Sequence, residues 1–309
     1  MAKAAKVDLS VTLAGVELKN PIVPVSGTFG FGEEYGQFFD VTRLGALCAK
    51  GLTLRPRVGN PPPRIAEAPM GLLNSVGLQN PGVDAFIEKE WPRLKELGVP
   101  VIANISGDTP AEYAQMCEKL SDAGVDMIEV NVSCPNVKAG GLAYGTKPEL
   151  TAEVTREAKA HAGSTPVMVK LSPNVTDITE IAKAVESAGA DAVSLINTLR
   201  GMRIDLNTRR PILQRNTGGL SGPAVLPVAV RMVWEVHNAV KLPILGMGGV
   251  TSAETAVEML LAGATAVGMG SALFADPMAA IKTIEGLETW CAAHNTTPRE
   301  LTGQVQPWT

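Results

Sequence analysis

Hydrophobic positions fall into short, nearly unbroken runs. Between the runs lie longer stretches in which apolar residues recur every three or four positions. The runs occupy 21–25, 46–50, 99–105, 126–132, 166–171, 190–196, 242–246 and 264–269. Their length and richness in Val, Ile, Leu and Ala predict strands buried on both faces, as in a parallel sheet covered by helices. The periodic stretches at 110–123, 147–162, 177–188, 223–240 and 253–262 predict amphipathic helices. Asp108-Thr109 forms a capping pair for the first of them. Ala123-Gly124-Val125-Asp126, Ala188-Gly189-Ala190-Asp191 and Ala262-Gly263-Ala264-Thr265 each end a helix with glycine and enter a strand. Glycine there supplies the left-handed C-cap. The copies are irregularly spaced, so they echo a βα unit and not a solenoid repeat.

Strands alternating with helices predict the α/β class, and eight strands is the number that closes a (β/α)8, or TIM, barrel. No linker composition interrupts the chain, so residues 1–309 read as a single domain. Ahead of the first strand, 9–13 and 16–18 flank Ala14-Gly15 and predict an N-terminal β-hairpin that closes the barrel's bottom. Two segments break the regular alternation: 51–81 is rich in Pro and Gly, and 197–222 in Arg, Asn and Gly. Both follow strands, so they read as long loops over the C-terminal face, where barrels carry their chemistry.

Composition narrows the function. Net charge is −4 with scattered basic residues, which argues against a nucleic-acid surface. No run approaches the ~18 apolar residues of a membrane span, and Met1–Val7 has no apolar signal core; a cytoplasmic address is the expectation. The cysteines Cys48, Cys117, Cys134 and Cys291 match no zinc or iron–sulfur spacing. Cys48 and Cys117 read as small buried hydrophobes and Cys291 as a structural residue on a surface helix. Cys134 differs. It stands in Asn131-Val132-Ser133-Cys134-Pro135-Asn136, at the C-terminal end of an apolar strand. A thiol between amide side chains at that rim reads as a proton-transferring or nucleophilic sulfur.

Other strand ends add to the same rim: Ser26-Gly27-Thr28, Lys50-Gly51, Asn104, Lys170, Asn197-Thr198, Gly248-Gly249 and Gly270-Ser271. Glycines after the last two strands suit a phosphate, which barrels bind there through backbone N–H groups. Lys50 and Lys170 lie in apolar strands and need anionic partners, from a ligand or from a structural ion pair. Asn74, Asn131, Asn136 and Asn197 together can hold a ring with amide or imide edges. His161, His237 and His294 fall on helices, away from this rim. Gly246-Met247-Gly248 lacks the third glycine of a dinucleotide fingerprint, so the chain carries no NAD-binding motif of its own.

With these residues the chain resembles the dihydroorotate dehydrogenase family over essentially its full length. The motifs that carry the resemblance are Asn74-Ser75-Val76-Gly77-Leu78-Gln79-Asn80, Asn131 to Asn136 with Gly140-Gly141, Lys170-Leu171-Ser172-Pro173, Asn197-Thr198, Thr217-Gly218-Gly219-Leu220-Ser221-Gly222-Pro223 and Gly246-Met247-Gly248-Gly249-Val250. Cysteine at the base position resembles the soluble class 1 enzymes, and 197–205 with 217–223 resembles the class 1B catalytic (FMN) subunit. The resemblance implies oxidation of (S)-dihydroorotate to orotate in de novo pyrimidine biosynthesis. It also implies a homodimer of this chain within a heterotetramer, whose partner subunit carries FAD and a 2Fe–2S cluster and reduces NAD+.

By the same resemblance FMN meets Ser26, Lys50, Gly51, Asn104, Asn131, Lys170, Ile196, Gly222, Gly248, Gly249, Gly270 and Ser271. Substrate meets Lys50, Asn74, Ser75, Val76, Gly77, Leu78, Asn131, Asn136, Asn197 and Thr198. Cys134 is the base and Lys170 the electrostatic stabiliser, and no metal is expected. The competing readings are a fumarate-dependent class 1A-type homodimer, a related dihydropyrimidine oxidoreductase, and a degenerate barrel serving as a scaffold.

Overall fold

In the computed structural model of the protein, which describes residues 7–132 and 144–308, all eight predicted strands form one sheet. In chain order they are Ile22–Pro24, Leu47–Cys48, Val101–Ile105, Met127–Asn131, Val167–Lys170, Ala192–Leu195, Ile244–Met247 and Ala266–Met269, each within two residues of its predicted bounds. Neighbouring strands pair in parallel in the order one, eight, seven, six, five, four, three, two. That is the circular order of a (β/α)8 barrel.

The seam between strands one and two lacks a ladder but is bridged. Gly45 N–H donates to the Ile22 carbonyl at 3.0 Å. Asn20, buried, donates its side-chain amide to the Arg43 carbonyl at 2.8 Å and accepts from Ile22 N–H at 3.1 Å. The chains cross so closely here that a Cβ on Gly45 would lie 1.9 Å from the Asn20 carbonyl oxygen. Only glycine lets the barrel close at this point.

The helices lie outside the sheet. The helix Pro110–Ala123 starts on Thr109, whose side chain accepts from Glu112 N–H, and stops at Gly124 in the left-handed conformation. Pro148–His161, Ile178–Ser187, Leu226–Ala239 and Ala253–Leu261 follow the later strands as the periodicity predicts. Among the helical segments beyond that pattern is 83–96. Pro92 interrupts its periodicity, and the structure accommodates it in the first turn of Trp91–Glu96, after a π-helical turn Phe86–Glu90.

Alternation along the strands builds two cores. Outward residues such as Ile128, Val130, Val167 and Val193 pack under the helices. Inward residues Val23, Ala46, Ile102, Met127, Met168, Ala192, Leu245 and Ala266 fill the barrel. The predicted hairpin, Val11–Leu13 with Val16–Leu18, joins this inner cluster through Val11, Leu13 and Leu18 and plugs the lower end. Cys291 lies on the inner face of the outer helix Ala279–His294 and is fully buried there.

The long segments after strands two and six are not simple loops. Leu199–Gly201, Gly218–Ser221, Gly71–Asn74 and Ile65–Ala68 pair in that order into an antiparallel four-stranded sheet, which bounds the cavity at the strand ends. Its glycines are required by contact. A Cβ on Gly219 would sit 1.9 Å from Thr198 Oγ1.

Replacing Gly45 by Ala places a methyl group where a carbonyl already stands. The expected cost is on the order of 3 kcal/mol, read as a lower thermal midpoint. A midpoint equal to that of the wild type would show that the seam is not the constraint.

Candidate active site

The C-terminal ends of the barrel strands and the antiparallel sheet enclose one cavity of about 1340 Å³, counting its open mouth. Strand one contributes Ser26, and strand two Lys50 and Gly51. Strands three, four and five contribute Asn104, Asn131 and Lys170. Ile196, Asn197 and Thr198 follow strand six, Gly248 and Gly249 strand seven, and Gly270 and Ser271 strand eight. Asn74, Val76, Gly77, Leu78 and Gly222 face it from the segments above.

Ser75 departs from the expectation. It is fully buried and does not line the cavity, because alternation along the chain turns it away from its neighbours Asn74 and Val76. Cys134 and Asn136 lie outside the described residues. Residues that the sequence analysis did not single out also line the cavity. They include apolar side chains: Ile65 and Leu72 from the antiparallel sheet, and Phe274 after strand eight. Their signal was short alternating runs inside Gly-rich segments, too weak to separate from loop.

Each wall has a local cause. The turn 74–80 is held by Asn80, whose amide is fully used. Its Oδ1 accepts from Thr53 N–H at 3.1 Å and Gly82 N–H at 2.8 Å, and its Nδ2 donates to Thr53 Oγ1 at 2.8 Å and the Leu78 carbonyl at 2.7 Å. That bracing keeps Leu78 at a φ of 55°, a conformation a branched side chain rarely adopts. Across the cavity Asn197 donates to Asn131 Oδ1 at 3.3 Å and accepts from Thr198 N–H at 2.8 Å. The two amides thereby fix each other's orientation.

Beneath the cavity lies a residue that the sequence analysis missed. Glu129, in the middle of strand four, has no exposed surface. Its Oε1 accepts from Ser194 Oγ at 2.6 Å. Its Oε2 accepts from the Asn104 side-chain amide, from Cys48 Sγ at 3.5 Å, and forms an ion pair with Lys170 Nζ at 3.8 Å. Strands two, three, five and six therefore each send a polar group to one carboxylate inside the barrel. A charged residue inside the run Met127-Ile128-Glu129-Val130 was the available signal.

The network orients Asn104. With its N–H group committed to Glu129, its Oδ1 is the free end. That oxygen is buried and has no hydrogen-bond partner among the described residues. A buried acceptor left unsatisfied costs about 1–3 kcal/mol, so it suits a ligand that brings an N–H donor into the cavity. Gly51 makes room beside it: a Cβ there would lie 2.7 Å from Asn104 Oδ1. The site thus combines an acceptor and a lysine on one wall, glycine-lined turns after strands seven and eight, and an apolar roof. It suits a ligand that brings an N–H donor and an anionic group.

The described thiols are inert by environment. Burial first, and then the Glu129 carboxylate, push Cys48 well above the ordinary thiol range. Burial pushes Cys117 up to about 12 and also raises Cys291. At pH 8 none of the three has an appreciable thiolate fraction. Iodoacetamide treatment of the native protein, followed by peptide mass mapping, is expected to leave Cys48, Cys117 and Cys291 unmodified. Rapid labelling of any of them would contradict the burial described.

The sequence model of the family described as dihydroorotate dehydrogenase matches residues 8–290. The catalytic subunit of dihydroorotate dehydrogenase B (NAD(+)) from Geobacter sp. (strain M21) is 54% identical over 289 residues, covering 93% of this chain and 94% of that protein. The protein of the same name from Alkaliphilus metalliredigens is 55% identical, covering 92% and 93%. That from Geobacillus kaustophilus is 56% identical, covering 87% and 86%.

Proposed function

The chain belongs to the dihydroorotate dehydrogenase family, and on that premise we propose that it oxidises (S)-dihydroorotate to orotate in de novo pyrimidine biosynthesis. It does so as an FMN-binding catalytic subunit whose electrons reach NAD+ through a partner. The single observation that carries the cofactor reading is the buried, unsatisfied Asn104 Oδ1 beside Lys170 in the cavity wall. Ring N–H edges and a phosphate are what this wall and the glycine turns accept. In this reading residues 1–309 are one domain, which works in the cytoplasm.

Ser26, Lys50, Gly51, Asn104, Asn131, Lys170, Ile196, Gly222, Gly248, Gly249, Gly270 and Ser271 would hold FMN. When bound, FMN supplies the acceptor for the hydride that leaves C6 of dihydroorotate. The residues of the chain do the rest. Asn74, Asn131, Asn136, Asn197 and Thr198 orient the substrate ring, with Ser75 behind the wall and Val76, Gly77 and Leu78 shaping it. Lys50 meets the substrate carboxylate. Cys134 removes the C5 proton, which the adjacent C4 carbonyl acidifies; an ordinary thiol pKa of about 8.5 suits a base near neutral pH. Lys170 offers its cation to negative charge that develops on the ring side of the cavity during reduction.

The partner follows from what the chain lacks. It has no dinucleotide fingerprint and no cluster-spaced cysteines. The relatives above are named as catalytic subunits of an NAD(+) enzyme. We therefore assign FAD and a 2Fe–2S cluster to an electron-transfer subunit, with a homodimer of this chain at the centre of a heterotetramer. Among the described residues no helix is long and apolar enough to cross a membrane, and no His/Cys/Asp/Glu group is arranged to hold a metal ion.

The test is anaerobic. Mixing the FMN-loaded chain with dihydroorotate should bleach the flavin, and NAD+ or fumarate added alone should restore the colour only slowly. Rapid reoxidation by fumarate would assign the chain to the partner-free class. No bleaching would refute the substrate. Cys134→Ser should retain FMN and slow flavin reduction at pH 7 by on the order of 10²- to 10⁴-fold; wild-type reduction would remove Cys134 as the base. Lys170→Ala should weaken FMN retention or slow its reduction, and normal values for both would remove that role.

A further inference from the structure

Glu129 reaches the cavity only through its partners. It has no exposed surface and does not line the cavity. Yet two of its partners, Lys170 and Asn104, do line it. A carboxylate in a barrel interior is costly unless several partners compensate it. An apolar side chain would continue the layer of Met127, Met168 and Ala192 below it at less cost. Such a residue would leave the Lys170 ammonium, 7% exposed, without its anion. It would also release the Asn104 amide to turn over. The low-dielectric surroundings screen the pair little, so both charges act on whatever lies above them.

We infer that Glu129 is a positioning residue: it orients Asn104, and as the counter-charge to Lys170 it sets how strongly that lysine favours the reduced over the oxidised state of the ring bound above. The inference rests on the FMN reading of the cavity. A residue that merely staples the core would alter stability and leave the redox equilibrium of the bound ring unchanged.

Glu129→Gln isolates the charge. The amide keeps the size of the carboxylate, can still accept from Asn104, and loses the negative charge facing Lys170. The measurement is the midpoint potential of FMN bound to purified, FMN-saturated wild-type and variant protein, by anaerobic dye titration. With the anion gone, the ammonium acts unopposed and the potential should rise. The expected shift is at least tenfold in the oxidised-to-reduced equilibrium, about 30 mV for a two-electron couple. An unchanged potential would overturn the inference. Should Glu129→Gln strand the ammonium and prevent folding, Lys170→Gln is compared with the double variant Glu129→Gln/Lys170→Gln, which removes both charges together. Because a buried carboxylate without Lys170 can take up a proton, the two are compared from pH 6 to pH 9; the double variant should show the higher potential at the alkaline end, and equal potentials across the range would again overturn the inference. A wild-type chain that takes up no FMN would instead refute the flavin reading itself. FMN uptake by the wild type with equal potentials would refute only the role of Glu129.

Discussion

Closing a parallel sheet on itself buries both faces of every strand, and this constraint governs the rest of the molecule. Alternate side chains have nowhere to go but the barrel interior. Its lower half is packed with apolar residues and sealed by the hairpin residues Val11, Leu13 and Leu18. One layer higher the same alternation brings Cys48, Asn104, Glu129, Lys170 and Ser194 together, and they must satisfy one another because all five are buried. Strand pairing thus places an ion pair and an oriented amide beneath the cavity without any loop having to hold them.

The upper wall solves a different problem. The segments after strands two and six expose long stretches of backbone over the site, and backbone groups enclosed without partners are costly. Pairing the two segments into an antiparallel sheet satisfies them and presents Leu72 and Leu220 to the cavity. The requirement for glycine in Thr217-Gly218-Gly219-Leu220 follows from this pairing. Gly218 and Gly219 face the Asn74 carbonyl and the Thr198 side chain at distances that leave no room for a Cβ.

The site therefore divides its labour by origin. The barrel supplies rigid polar groups from strand ends, where the ladder fixes their spacing. The antiparallel sheet supplies shape and water exclusion. The turns after strands seven and eight supply backbone. Rigid elements beneath and a separate roof above suit a reaction whose bound molecules must be held in one orientation.

How far the sequence reveals this depends on the range of each interaction. Uniform apolar runs and helical periodicity are local, so Met127–Asn131, Pro110–Ala123 and the Ala14-Gly15 hairpin were legible, as were the rim residues Lys50, Asn104, Lys170 and Gly248 that follow such runs. The roof was not, because its two local pairs, Ile65–Ala68 with Gly71–Asn74 and Leu199–Gly201 with Gly218–Ser221, join into one sheet only where Asn74 meets Gly219 across 145 residues of chain. Ser75 was read with its motif, and only the pleat shows that it faces away from the cavity. Glu129 is visible in the sequence as a lone charge in an apolar run, but its partners Cys48, Asn104, Lys170 and Ser194 come from four other strands. The sequence alone determined the strands, the helices and the polar rim, since these are set by neighbours in the chain. Barrel closure decided which of those groups meet, because contacts between distant strands exist only once the sheet has returned upon itself.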